Sequence, residues 1–69
     1  MGRYSVQRYG RWRWIIVDSA TGIAVRKPGM EHITNFAYDE HGSPVFLSYR
    51  TAAEADAKCR ELNGSVSLS

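Results

Sequence analysis

The fold of this chain is decided by residues 4–18, which read Tyr-Ser-Val-Gln-Arg-Tyr-Gly-Arg-Trp-Arg-Trp-Ile-Ile-Val-Asp. Side chains alternate in character from Tyr4 to Tyr9, and the run from Trp12 to Val17 is rich in aromatic and β-branched residues, as is typical of strands. Gly10 and Arg11 stand between the two runs and supply a tight turn. The stretch therefore predicts an antiparallel hairpin.

The chain after the hairpin predicts a third strand. Residues 18–22, Asp-Ser-Ala-Thr-Gly, are turn chemistry, because Asp and Ser bond to their own backbone and Gly adopts positive φ. Ile23–Arg26 follows as a strand, and Pro28 and Gly29 end it.

Residues 30–44 permit two interpretations, another hairpin or a long surface loop. His32–Tyr38 is weakly strand-like, Asp39–Pro44 is typical of a turn, and Val45–Tyr49 predicts a short strand. Structureless loops of this length are uncommon in compact domains, which favours the hairpin.

A helix is predicted after Thr51. Thr51 and Glu54 have the spacing of a capping box, and four alanines follow Thr51 before Lys58. Asn63 and Gly64 predict the end of the helix. Its charges form i, i+4 pairs, and its small apolar stripe is expected to cover one face of the hairpin. The pairs are Glu54–Lys58 and Asp56–Arg60, the stripe is Ala52, Ala55, Cys59 and Leu62, and the covered face is Trp12, Trp14 and Ile16.

These elements predict an α+β fold, an antiparallel sheet of three to five strands with one C-terminal helix packed on one face. A chain of 69 residues with 43% hydrophobic residues has room for one marginal core. We therefore expect a single small domain over residues 1–64 and a flexible tail over residues 65–69.

The compartment predicted for the chain is the cytoplasm. Cys59 is the single cysteine, so no internal disulfide forms, which favours a reducing setting. No apolar run reaches the length of a membrane span, so no membrane partner is expected. Residues 1–10 lack the apolar core of a signal peptide.

Catalytic chemistry is not predicted. Cys59 falls on the packed stripe of the helix, where a thiol is usually an inert small hydrophobe. His32, Asp39 and His41 fit no metal-ligand spacing, and no glycine-rich phosphate loop is present. We therefore expect no enzyme, no cofactor, no metal and no small-molecule substrate.

Positive charge is concentrated early in the chain. Residues 1–30 hold six of the nine Lys and Arg residues and a single acid, Asp18. Arginine favours phosphate forks, aromatic rings offer stacking surfaces, and a two-stranded ribbon fits the DNA major groove. A structural interpretation is equally open for the arginines, since charge also keeps an edge hairpin soluble. The residues predicted to bind nucleic acid are Arg8, Tyr9, Arg11, Arg13, Arg26 and Lys27.

A family resemblance points the same way. Residues 4–18, Thr21-Gly22 and residues 46–58 together resemble the plant ethylene-response (APETALA-type) DNA-binding domain and its integrase relatives, which bind arm-type DNA sites. The resemblance leaves out roughly residues 28–44, and it implies three antiparallel strands facing DNA with a helix behind them. The pattern is also similar to small bacterial and phage proteins.

One departure from that family raises an alternative function. Ile15 and Val17 stand where the family has polar residues that touch DNA. The sheet is then apolar on both faces, and something must cover the second one. The candidates are residues 30–44, a second copy of the chain, or another protein. The alternative prediction is a protein-interaction or homodimerisation module with its interface at Ile15 and Val17.

Overall fold

A three-stranded antiparallel sheet and one C-terminal helix form the regular structure. The computed structural model describes residues 2–67. Strand β1 is Tyr4–Tyr9, β2 is Arg13–Asp18, β3 is Ile23–Ala24, and helix α1 is Ala52–Ser67. The sheet order is β1-β2-β3, and α1 packs on β1 and β2. The predicted α+β class and helix-on-sheet architecture are confirmed.

The predicted hairpin forms, and its first strand has the predicted bounds, Tyr4–Tyr9. β1 and β2 are antiparallel partners in a register that runs from Tyr4 opposite Asp18 to Tyr9 opposite Arg13. Gly10 adopts a φ of 69° in the turn, a conformation that its lack of a Cβ permits.

Trp12 differs from the prediction. It belongs to the turn rather than to β2, and it is 75% exposed. The turn uses three residues instead of two, so Trp12 never enters the pleat that carries Trp14 and Ile16 toward α1. Ile16 is fully buried and Trp14 is half-buried. The expectation that α1 covers Trp12 is therefore wrong, whereas Ile16 does lie in the core.

β2 is bonded along both edges. The Ser19 N–H donates to the Arg3 carbonyl at 2.9 Å, which places odd-numbered residues of β1 toward β2. The N–H and C=O of Trp14 both pair with Tyr49, at 2.8 and 2.9 Å, so the even-numbered residues of β2 bond the opposite edge. By the same alternation, the backbone groups of Val6 and Arg8 point away from the sheet.

The third strand is shorter than the predicted Ile23–Arg26. The Val25 N–H donates to the Ile16 carbonyl at 2.8 Å, but the Val25 carbonyl accepts from the Leu47 N–H at 2.9 Å. The chain therefore leaves β2 at Val25. Beyond it, the Lys27 N–H donates to the Val45 carbonyl at 2.8 Å. Residues 25–27 and 45–47 thus pair with each other, although they form no named strand.

Residues 30–44 contain only a small hairpin. The Val45 N–H donates to the Ala37 carbonyl at 2.9 Å, and the Asp39 N–H donates to the Ser43 carbonyl at 2.8 Å. The predicted strand over His32–Tyr38 is wrong, because Tyr38 alone in that range takes part in a β-bridge and the other six residues are turn, bend or irregular. Val45–Tyr49 is likewise no continuous strand, and it pairs through bridges at Phe46 and Tyr49.

The start of α1 is the predicted one. The Glu54 N–H donates to the Thr51 hydroxyl at 3.2 Å, as an N-cap requires. Ala55 is fully buried and Cys59 is 6% exposed, which confirms the centre of the stripe, but Ala52 is exposed. Two helix charge pairs form at the surface, Arg60–Asp56 at 3.0 Å and Lys58–Glu61 at 3.4 Å in place of Lys58–Glu54.

The end of α1 differs from the prediction. Asn63 does not cap the helix, which continues through Ser67. The Asn63 side chain instead accepts from the Tyr4 N–H at 2.9 Å and donates to the Tyr4 carbonyl at 3.1 Å. This tertiary bond closes one end of the free edge of β1. Of the predicted tail, residues 68–69 lie outside the described residues.

The pairing alternation predicts opposite responses to proline at adjacent positions of β1. Arg8→Pro removes an N–H that points away from the sheet, so we expect little change in stability. Gln7→Pro removes an N–H directed at β2 and leaves a carbonyl unpaired, at a cost of about 1–3 kcal/mol. Urea denaturation of the two variants measures the difference. Equal losses at both positions would contradict the register.

Candidate nucleic-acid interface

The turn of the hairpin forms a basic tip. The side chains of residues 8–13 are exposed, and the Trp12 side chain is 75% exposed. The Arg8 guanidinium folds back over the turn, donating to the Gly10 carbonyl at 3.2 Å and to the Arg11 carbonyl at 3.5 Å. We use the name basic tip for Arg8, Tyr9, Arg11, Trp12 and Arg13.

No acid lies within residues 2–17 to neutralise the basic tip. The nearest acid along the chain, Asp18, sits at the far end of β2 and is occupied there. The Arg3 guanidinium donates to both carboxylate oxygens of Asp18, at 2.7 and 2.8 Å. This two-point pair consumes one arginine of the hairpin and leaves the other three at the tip.

The Arg3–Asp18 pair is partly buried on the Asp18 side. The hydrogen bond from Arg3 lowers the pKa of Asp18 below 3.8, burial opposes that shift, and the bond from the Ala20 N–H assists it. The same pair raises the pKa of Arg3 further above its ordinary value. Both groups therefore stay charged at neutral pH.

Arg26 and Lys27 do not join the basic tip. The Arg26 guanidinium donates to the carbonyls of Ile33 at 2.7 Å, Ala24 at 3.1 Å and Phe36 at 3.3 Å. It thereby holds residues 33–36 against the sheet. Lys27 lies near the Asp39 carboxylate, and its charge helps to lower the pKa of that group after the dominant bond from the Ser43 N–H.

An aromatic cluster of Tyr9, Tyr38 and Phe46 lies beside the tip. The rings of Tyr9 and Tyr38 each meet Phe46 edge to face, with centroids 5.1 and 6.0 Å apart. The two tyrosine hydroxyls share a hydrogen bond, which raises the pKa of Tyr9 above 10.0. Phe46 is 4% exposed, but the tyrosines are 39% and 47% exposed.

The predicted interface residues border this cluster. Ile15 and Val17 are half-buried. Ile15 lines an apolar groove of about 220 Å³ together with Tyr9, Ala37 and Phe46, and Arg26 is its charged lining residue. Ala37, within the predicted covering segment 30–44, and Phe46, just beyond it, thus lie against part of the second sheet face.

A larger cleft of about 490 Å³ opens between β3 and α1. Its charged lining residues are engaged within the molecule: Arg3 with Asp18, Lys58 with Glu61, and Glu31 with the Gly29 N–H. Arg26, which also lines it, bonds to three carbonyls. The described part of the cleft therefore presents no unpartnered charge to a ligand.

The remaining reactive groups are held in structural contacts. The Cys59 thiol lies against the Tyr4 carbonyl at 3.3 Å, and burial raises its pKa above 9.0. Asp39 accepts from the N–H groups of His41 and Ser43, both at 2.9 Å. Within residues 2–67, no cluster of three or more His, Cys, Asp or Glu side chains is arranged to hold a metal ion.

No helix among the described residues has both the length and the apolar character that crossing a bilayer requires.

Comparisons with protein-family models, curated proteins and solved structures found no match to this chain. The resemblance to the ethylene-response domain thus stays a prediction.

The sequence predicts most of the basic tip, but neither the exposure of Trp12 nor the aromatic cluster beside the tip. The alternation of residues 12–17 places Trp12 in the core, although its position directly after Gly10-Arg11 is compatible with a longer turn. The local pattern predicts strands at Tyr38 and Phe46, and it carries no signal that residues 37–46 fold back against Tyr9.

Stability should depend on pH through Asp18. Since the folded-state pKa of Asp18 lies below 3.8, the stabilisation from its pair with Arg3 is fully present above that pH. It is lost as the pH falls through the folded-state pKa. We expect Asp18→Asn to lower the urea midpoint at pH 7 and to approach the wild type in strong acid. Glu40→Gln, which removes a fully exposed acid, is the control. A difference that persists unchanged to pH 2 would contradict this assignment.

Proposed function

We propose that this protein is a non-enzymatic module that binds nucleic acid, nominally DNA, through the basic tip. The observation that carries the proposal is the tip itself: three exposed arginines and a tryptophan that is 75% exposed, in a segment without acids. The exposed rings of Trp12 and Tyr9 beside these arginines offer stacking surfaces next to positive charge, the combination that nucleic-acid-binding surfaces use.

The chemistry of the tip suits phosphate better than other anions. Guanidinium groups bind phosphate oxygens in pairs, and three of them at the end of the hairpin match a repeating backbone of phosphates. Trp12 and Tyr9 lie between the arginines and provide planar surfaces for bases or sugars. Arg26 and Lys27 are predicted for the same role, but Arg26 bonds to three carbonyls and Lys27 lies near Asp39, so the proposal assigns the direct phosphate contacts to the tip.

The alternative function is a protein-interaction or homodimerisation module with its interface at Ile15 and Val17. The apolar groove beside Ile15 supports this alternative. Against it, Ile15 and Val17 are half-buried, and Ala37 and Phe46 lie against part of the sheet face that carries Ile15. Sedimentation velocity decides it: a dimer that Ile15→Asp dissociates without unfolding would favour the alternative. We further propose a cytoplasmic setting, in keeping with the free thiol of Cys59.

Salt dependence of binding tests the nucleic-acid proposal. A 20-base-pair DNA duplex and one of its separated strands are titrated with the protein at increasing salt. With three arginines on phosphates, the slope of log K against log salt should be about −2 to −3. Arg11→Gln and Arg13→Gln should each reduce its magnitude by about one unit.

The matched control is Arg60→Gln, which removes the same charge from an exposed position on α1 where Arg60 pairs with Asp56. We expect it to leave the slope unchanged. Failure of the wild-type protein to bind either form of DNA at low salt would overturn the proposed function. An equal loss of binding in Arg60→Gln and Arg11→Gln would show that net charge, and not the tip, is responsible.

A further inference from the structure

The three rings of the aromatic cluster are held in a defined arrangement by ring contacts and by a hydrogen bond. Phe46 is the buried base, and Tyr9 and Tyr38 meet it at interplanar angles of 73° and 76°. Their shared hydrogen bond holds the two tyrosines together while leaving both partly exposed. The cluster therefore presents two ordered aromatic rings at the surface at little further entropic cost.

The groove next to the cluster is apolar and small. Its volume of about 220 Å³ falls below the roughly 300–1,000 Å³ typical of pockets for small molecules. Tyr9, Ile15, Ala37 and Phe46 contribute its walls. A groove of this size and character suits one flat ring system, partly covered, rather than a whole metabolite.

Positive charge reaches the groove from one side. Tyr9 is paired with Arg13 across the hairpin, so their side chains share a face, and Arg11 follows in the turn. On the other side, the Asp39 carboxylate is bonded by two backbone N–H groups and lies near Lys27. A polyanion would therefore run along the tip, with a flat ring directed into the groove.

We propose that this groove binds one unstacked base of a single-stranded nucleic acid, while Arg11 and Arg13 hold the adjacent phosphates. The inference rests on the proposed function and specifies its ligand. In a duplex the faces of the bases are stacked on one another, so an aromatic groove cannot reach them. A single strand exposes both bases and phosphates, the combination that aromatic rings beside a basic surface recognise.

The test compares three ligands of equal length and label: a ten-residue oligothymidylate, the same chain without bases (abasic), and a duplex. Phosphate contacts alone bind the abasic chain as well as the intact strand, whereas a base-binding groove does not. We expect the oligothymidylate to bind tightest and removal of the bases to weaken binding by about five- to 150-fold.

Two variants at one position locate the effect. Tyr9→Leu keeps apolar bulk but removes the ring that lines the groove, and it should weaken oligothymidylate binding until it approaches that of the abasic chain. Tyr9→Phe keeps the ring and loses only the hydrogen bond to Tyr38, and it should retain most of the affinity. Thermal denaturation of both variants verifies that the fold persists.

The outcomes separate the two proposals. Equal binding of the abasic and intact strands, or full affinity for oligothymidylate in Tyr9→Leu, would overturn the proposal of a base-binding groove and leave charge-driven binding by the tip intact. Absence of binding to all three ligands at low salt would overturn the proposed function as well. Tighter binding to the duplex than to the single strand would overturn the ligand class inferred for the groove.

Discussion

The structure depends on the pairing of β2 along both of its edges. Its odd-numbered residues bond β1, and its even-numbered residues bond β3, Val25 and Tyr49. The same alternation sends Trp14 and Ile16 toward α1 and Ile15 and Val17 to the opposite face. One strand thereby joins the hairpin, the returning segment and the helix into a single core, in which Ile16 and Val45 are fully buried.

The helix closes one face of this core and one end of the hairpin. Small side chains at Ala55 and Cys59 let α1 approach the sheet closely, and both are buried. In its second half, Cys59 and Asn63 bond to the backbone of Tyr4. These bonds lie at the end of β1 opposite the turn. The basic tip lies at the other end of the hairpin, where its side chains are exposed.

The tip and the aromatic cluster share Tyr9, and this shared residue connects the charged surface to the apolar one. Asp18 would oppose an anion if it lay at the tip, but the hairpin register places it at the far end of β2, where it pairs with Arg3. The distribution of charge along the hairpin is thus a consequence of the register. A shift of one residue in the pairing would turn one strand over relative to the other, so that Tyr9 would no longer share a face with Arg13.

The hairpin, the N-cap of the helix and the buried centre of its stripe follow from the order of the residues alone. Each of these rests on local chemistry: period-two alternation from Tyr4 to Tyr9, the Thr51 hydroxyl facing the first turn, and small apolar residues at helical spacing. The sequence also predicts which side chains gather at the turn, because Arg8, Arg11 and Arg13 are close neighbours in the chain.

The exposure of Trp12, the continuation of α1 past Asn63 and the fold of residues 30–44 depend instead on contacts between distant parts of the chain. Trp12 depends on how many residues the turn uses, which the closing register sets. Asn63 finds a partner in Tyr4, 59 residues away, so its side chain is bound to β1 and not to the helix end. Phe46 pairs with Arg26, and Tyr38 pairs with Pro44. These bridges bring both rings to Tyr9, which is distant in the chain, and such contacts leave no periodic signal in the sequence.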